Sequence, residues 1–459
     1  MAIQQDVRTS DAGPEQTRRR RTDRRARILI PLVLGLATLG IRLWDVTSPP
    51  QTYWDETYYA IDASGYLGGI LPLPVRLPAP TIEGEVSWEH PPLGKWIIAT
   101  GVSPLGLRPL GYRLPSVIFG TTGVLVLYLL ALELWGSAWW AGLAGMLLSL
   151  DGLHIVQSRI AMLDIFLVTF ITAGALFLVR DRKRLLDAAP VRPEGRIERW
   201  FWSRDRLLAG VMFGAAVATK WSGASALVLG AAMTASWIRR RTRNDPVERR
   251  RQWRSLALAF GAVPIAIYLV SYVEFFAQHP FGVGAFAHLQ WAMLQKQLHG
   301  PVHEVANSSA WTWPLLLHPI RYFPGYHSAV LNDRIGRWIV AIGNPAFFAS
   351  FLLLLPKLIA NAAKRHDWPS RFVLLFYGAM YLPWLVFSRA SFLFYIVPCL
   401  PFMALGIVAA LRSIRERFRT PATIALVVGD LACAAALMPV WLGLDGSLSI
   451  VRALHLLPS

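Results

Sequence analysis

Apolar runs long enough to cross a bilayer recur from residue 28 to residue 442, and the blocks between them alternate between arginine-rich and arginine-poor. About 20 apolar helical residues cross a hydrocarbon core, and no backbone amide inside it can go without a partner. The expected fold class is therefore an all-α polytopic membrane protein. Spans are predicted near 28–45, 112–134, 138–156, 160–179, 207–219, 222–238, 255–276, 335–355, 372–388, 391–411 and 421–442, eleven in number. The stretch 207–238 is too long for one span and short for two. Arg204 and Arg206 precede it and Arg239, Arg240 and Arg241 follow it; basic flanks on one side require a hairpin turning near Lys220, Trp221, Ser222 and Gly223.

Composition agrees, with 54% hydrophobic and only 16% charged residues, unlike an ordinary soluble domain. The net charge of +18 would suit nucleic acid if the basic residues covered a folded polar surface. They sit instead in blocks between apolar runs, so the charge sets membrane orientation and no nucleic-acid partner is expected. The segments 1–27, 180–206, 239–254, 357–371 and 412–419 hold 33 of the 46 lysines and arginines. That side carries the amino terminus and is read as cytoplasmic, and an odd number of spans places the carboxyl terminus outside. Residues 1–27, with Arg18, Arg19, Arg20 and Arg21, read as a disordered cytoplasmic tail. No small-x-small site follows, so the first helix is expected to stay uncleaved. Residues 28–442 form the membrane domain and 443–459 an extracytoplasmic tail. Cys399 and Cys433 both fall in apolar runs and suggest neither a disulfide framework nor a metal site.

Two outer segments, 46–111 and 277–334, are too long for simple connectors, and long loops in compact proteins are usually functional. Lys95, Trp96, Ile97, Ile98 and Ala99 suit a short amphipathic helix lying at the interface. Charged residues beside membrane spans are costly and mark functional sites. Asp55 and Glu56 come first. Being adjacent, they point in different directions and are expected to have separate tasks; they read equally as a helix cap for 57–68. In Trp88-Glu89-His90-Pro91-Pro92-Leu93-Gly94-Lys95 the prolines fix His90 ahead of a helix start. No second histidine lies at helical spacing, so a turn against the membrane surface is preferred over a metal site.

Arg159 and Asp164 lie at the outer turn of the third and fourth spans, as a structural ion pair or with Arg159 as a phosphate ligand. Lys220 and Arg389, the latter followed by Tyr395, stand at two further outer turns, where snorkelling is the plain alternative to ligand binding. Three cations on one face suit an anionic phosphate or diphosphate. No Walker-type loop is present, so a soluble nucleotide is not indicated. His299 and His303, four apart with Glu304 beside them, have the spacing of a metal pair on a helix, but Gly300-Pro301 between them breaks that helix, and Asn307-Ser308-Ser309 meets a glycosylation rule that is often met by chance.

The ordered set of Asp55-Glu56, His90-Pro91-Pro92-Leu93-Gly94-Lys95, Ser158-Arg159 with Leu163-Asp164, Thr219-Lys220-Trp221-Ser222-Gly223 and Trp311-Thr312-Trp313-Pro314-Leu315-Leu316 resembles the protein O-mannosyltransferases, over about residues 28 to 442. The resemblance implies a GT-C type fold with about eleven membrane helices. It also implies a metal-independent, cofactor-free inverting transfer of mannose from a polyprenyl-phosphate donor to Ser/Thr hydroxyls of exported proteins, on the outer face of the membrane. Asp55 would be the general base and Glu56 would position the acceptor. Arg159 and Lys220 would bind the donor phosphate, with Arg389 a weaker candidate; His90, Asp164 and Tyr395 are further site candidates. The 277–334 loop has no room for the β-trefoil insertion of eukaryotic members, which points to a bacterial form, and Tyr58 stands where many members carry histidine. A related enzyme acting on a lipid or cell-wall glycan is the alternative. A transporter fits less well, because no repeated halves with broken helices are visible.

Overall fold

The computed structural model describes residues 14–70, 89–187, 203–278, 282–299, 306–324, 336–364, 366–386 and 390–456. All eleven expected spans have helical counterparts. In chain order the elements are α1 (Pro14–Leu43), α2 (Glu56–Ile70), α3 (Leu93–Leu105), α4 (Pro109–Trp135), α5 (Ala138–Ser149), α6 (Gly152–Gln157), α7 (Leu163–Asp187), α8 (Arg204–Thr219) and α9 (Ala224–Arg241). Then follow α10 (Pro246–Ser271), which carries a π turn at Leu258–Ala262, α11 (Val273–Gln278) and α12 (Val283–His299). A two-stranded antiparallel sheet, β1 (Ile320–Phe323) and β2 (Ile339–Ala341), precedes α13 (Pro345–Ala362), α14 (Trp368–Tyr381), α15 (Leu400–Arg412), α16 (Glu416–Leu442) and α17 (Ser447–Ala453). Seven helical segments of the described chain are long and apolar enough to cross a membrane on length and composition alone.

Four expectations change. Helix α1 begins at Pro14, so residues 14–27 extend the first helix and are not part of a separate tail; Gln and Arg are good helix formers, and extending an existing helix needs no new nucleus. The eighth span starts at Pro345 and not at 335, because Ile339, Val340 and Ala341 pair with β1 and Asn344 caps the helix through Ala346 N. Residues 95–99 lie in the short helix α3, and Gly94, Lys95, Ile98 and Ala99 are buried, so one of its faces packs into the protein. The carboxyl-terminal segment contributes α17, whose Leu448 and Val451 are buried.

The basic blocks meet at one end of the bundle. Arg180 and Lys183 of α7 hold Glu133 of α4, Arg206 of α8 binds Asp181 of α7 at 3.0 Å, Arg182 lies over Trp368 of α14, and Arg412 of α15 lies over Trp135 and Trp140. The charge pattern read from the sequence thus has one physical end, and the described parts of the two long loops lie at the other. Glycine permits the close helix approach: a Cβ on Gly210 of α8 would sit 1.9 Å from the Ala259 carbonyl oxygen of α10.

Candidate active site

At the end away from the arginines, the chain leaves α1 and turns into α2 through Trp54, which holds a left-handed backbone with φ 55°. A bulky residue there is strained, and such strain persists where surroundings over-determine it. Here the indole stacks on Tyr322 of β1 at 4.9 Å and 14°, with the Phe392 and Phe394 rings edge-on at 6.1 and 6.3 Å. Gln157 Nε2 donates to the Tyr322 hydroxyl at 2.8 Å, which fixes the platform. Asp55 follows directly, half-buried, and its carbonyl accepts from Tyr58 N and Tyr59 N as α2 begins. The backbone of Asp55 thus opens the helix, as the capping alternative anticipates. Its carboxylate also acts on buried neighbours. The phenols of Tyr59 and Tyr322 are pushed well above their ordinary range, by burial first and then by the carboxylates of Asp55 and Asp164. Both acids therefore lie near the same two phenols, and Asp164 also lines the cavity described below.

Glu56 has a different position from the one expected of an acceptor ligand. It is fully buried, with Oε1 and Oε2 each accepting from Arg113 at 2.9 Å, and Oε1 also accepting Ala161 N at 3.0 Å. Arg113 spends its other donors on the carbonyls of Val46, Pro49 and Gln51, so the pair pins the 46–56 segment to α4 and to the 158–162 turn. No face of Glu56 is left for an acceptor. Sequence reading missed Arg113, which sits inside an apolar span; the one available signal is the cost of burying an arginine there without a carboxylate.

Arg159 is corrected in the same way. Its guanidinium donates to the carbonyls of Ile41, Arg42 and Trp44 at 3.3, 2.9 and 2.6 Å and to Asp45 at 3.4 Å. It caps the carboxyl end of α1, where orphan carbonyls and the helix dipole favour a cation. Its Nη1 and Nη2 groups are thus engaged by the end of α1, and it does not pair with Asp164.

Asp164, in the first turn of α7, pairs with Lys220. Lys220 stands in extended conformation between α8 and α9, at the hairpin turn expected from the flanking arginines, and its Nζ donates to Oδ1 and Oδ2 of Asp164 at 2.9 and 2.8 Å. The ammonium lies 5.0 Å from the Tyr395 ring centre and 5.6 Å from that of Phe394, a cation-π arrangement. Phe394 also touches Trp54, so one ring separates Lys220 from the residue before Asp55. Asp164, Lys220, Ser222, Ser225, Gln297 and Tyr395 are among the side chains lining a cavity of about 310 Å³ beneath α12. Trp384 stacks on Tyr395 at 4.5 Å as part of its wall.

His90 is half-buried, 6.4 Å from the Tyr59 ring, and α3 starts at Leu93 straight after the two prolines. A Cβ on the next residue, Gly94, would stand 2.7 Å from Leu163 and 3.1 Å from Thr219. The motif's glycine therefore lets the first loop press against both helix ends that carry Asp164 and Lys220. Glu89 is ion-paired with Lys296 of α12, joining the two long loops over the cavity. Asp62 of α2 and Lys95 of α3 form another buried pair at 2.7 Å. Among the described residues no group of three or more metal-type side chains comes together. Arg389, His279, His303 and His327 lie outside the described residues.

Residues 32–279 match the family described as dolichyl-phosphate-mannose-protein mannosyltransferase, and residues 283–459 match the C-terminal four-transmembrane region of protein O-mannosyltransferase. The chain belongs to the protein O-mannosyltransferase family. Similar relatives in this family include the polyprenol-phosphate-mannose–protein mannosyltransferases of Mycobacterium tuberculosis, 29% identical over 434 residues (83% of this chain, 80% of that one), and of Mycolicibacterium smegmatis, 28% identical over 377 residues (71% of each). The fold is similar to that of the S. cerevisiae protein O-mannosyltransferase Pmt1-Pmt2 complex bound to the sugar donor, with TM-score 0.76 at 12% identity over 94% of this chain and 92% of that one. ArnT from Cupriavidus metallidurans bound to undecaprenyl phosphate gives 0.53 at 16% identity over 94% and 75%. These neighbours place the chain in the GT-C type fold, as a multi-pass membrane protein.

Proposed function

We propose that the chain transfers mannose from a polyprenyl-phosphate donor to Ser/Thr hydroxyls of exported proteins, at the end of the bundle opposite its arginines. The observation that carries this reading is the Asp164–Lys220 pair lining a cavity, with Asp55 near the same buried phenols as Asp164, in a member of a family of mannosyltransferases. The relatives named above take polyprenol-phosphate-mannose, and the same donor class is assigned here. The arginine-rich end is cytoplasmic by the positive-inside rule. The amino terminus then lies in the cytoplasm and the site outside it, where exported acceptors are found.

Chemically, the acceptor oxygen attacks the mannose C1 while the bond from C1 to the phosphate oxygen breaks. The proton passes to Asp55, and the bond's electron pair leaves with polyprenyl phosphate, inverting the anomeric centre. Charge grows on the leaving phosphate, where Lys220 stands preorganised. Asp164 takes two of its N–H bonds and aims the third at the cavity, so the pair binds an anion more weakly than a free lysine and holds the ammonium in place. Ser222, Ser225 and Gln297 supply neutral donors and acceptors for sugar hydroxyls, and Tyr395 with Trp384 gives an aromatic wall for the sugar ring. Membranes containing the chain should transfer labelled mannose from polyprenyl-phosphate mannose to a Ser/Thr-rich peptide. Transfer to lipid but not to peptide would overturn the acceptor assignment, and full activity of Asp55→Asn would overturn the base.

A further inference from the structure

At the arginine-rich end, α1, α5 and α16 leave between them a groove of about 790 Å³. Its walls are Leu29, Ile30, Val33, Leu34 and Ala37 of α1 and Ile424 and Val427 of α16, and its floor is formed by residues of α5 from Trp139 to Met146. Glycines make the floor: a Cβ on Gly142 would stand 2.8 Å from Ile30, and one on Gly145 2.4 Å from Leu34, so α1 is drawn onto α5 while α16 stays apart. Along each helix the lining spans eight or nine residues, roughly 12 Å at 1.5 Å per residue, against a single-leaflet hydrocarbon depth of roughly 15 Å.

Polar groups occur at one end only. Arg419, Thr420 and Thr423 line the mouth, and exposed or half-exposed Arg25, Arg27, Arg412, Arg415 and Arg417 surround it, with Glu416 as the one acid in these two segments among residues with described side chains. Trp139 is 69% exposed at the same level, the position of an interfacial aromatic belt.

We propose that this groove binds one anionic glycerophospholipid of the leaflet on the arginine-rich side, its acyl chain between α1 and α16 and its phosphate on Arg419 and Thr420. Depth and charge both favour this occupant. A helix of a second copy would run the full membrane thickness, whereas the groove ends at one leaflet. Six arginines at this rim face one acid, Glu416, which pairs with Arg419 at 3.4 Å, so the surplus positive charge favours an anionic headgroup over an uncharged one.

Native mass spectrometry of the full chain, released from a mild detergent and incubated with equal amounts of phosphatidylglycerol, phosphatidylcholine or polyprenyl phosphate, tests this. The wild type should retain phosphatidylglycerol about five- to tenfold over phosphatidylcholine. Arg419→Ala should abolish that preference, and Thr423→Trp, which fills the groove, should lose both lipids. Mannose transfer measured in detergent should stay within about twofold in both variants, showing that they are folded, because the groove is far from the site. Equal retention of the two phospholipids by the wild type would overturn the proposal. So would unchanged retention in Thr423→Trp, preferential retention of polyprenyl phosphate, or conversion of a dimer to a monomer by Thr423→Trp.

Discussion

The corner around Glu56 and the cavity around Lys220 are built from the same parts, a buried carboxylate and a buried cation, and differ in where their remaining hydrogen-bonding capacity goes. Around Glu56 the donors of Arg113 are spent on protein, on the carboxylate and on carbonyls of the incoming chain. At Lys220 the pair with Asp164 is made on one side only, and the other side is open to the cavity. A closed pair fixes the shape of a loop, whereas a pair with one open side can also meet a ligand. Of the adjacent residues Asp55 and Glu56, the first is half-buried near the phenols of Tyr59 and Tyr322 and the second is held in the closed corner.

Substitutions that separate the two corners by readout test the comparison. Asp55→Asn keeps size and backbone capping and should lower transfer by about a thousandfold, within the range for loss of a general base, while thermal unfolding of the purified protein stays unchanged. A large drop in unfolding temperature would assign Asp55 to the closed corner instead. Glu56→Gln leaves Arg113 buried with an incomplete partner and should cost about 3–5 kcal/mol of stability, read as an earlier unfolding midpoint; the donor KM of the fraction that remains folded should not move. A changed acceptor KM at unchanged stability would restore the acceptor role. Lys220→Met should lower kcat by about a hundredfold, as when one preorganised donor to a developing anion is lost, with thermal stability falling less than in Glu56→Gln because Asp164 can reach the cavity's solvent. Arg159→Met should cost about 1–2 kcal/mol from the end of α1 with donor affinity unaltered; weakened donor binding would return it to the phosphate. Tyr395→Phe keeps the ring beneath Lys220 and should change kcat less than about threefold, the scale of one neutral hydrogen bond.

The residues themselves explain why part of this was legible and part was not. Lys220 could be placed at an outer hairpin turn because arginines on both flanks of 207–238 oblige the chain to return, and the structure has Lys220 between α8 and α9. The eleven helical segments follow from the same hydropathy and charge logic, which acts locally and is written along the chain, whereas the GT-C fold comes from the resemblance carried by the ordered motifs. Helix starts were less secure. Residues 335–344 are as apolar as a span, and only pairing with β1 turns Ile339–Ala341 into a strand.

The sequence by itself determined that this chain lives in a membrane, where its apolar helical segments fall, which end carries the arginines and which short motifs gather at the other, because bilayer thickness and charge act on each segment separately. Only the tertiary structure decided which charges are available. Arg159 caps α1, Glu56 is closed off by Arg113, and Lys220 shares its ammonium between Asp164 and a cavity, since each outcome depends on a residue at least 50 positions away. No local pattern in a sequence can fix a partner that distant; the packing of α1, α4 and α7 does.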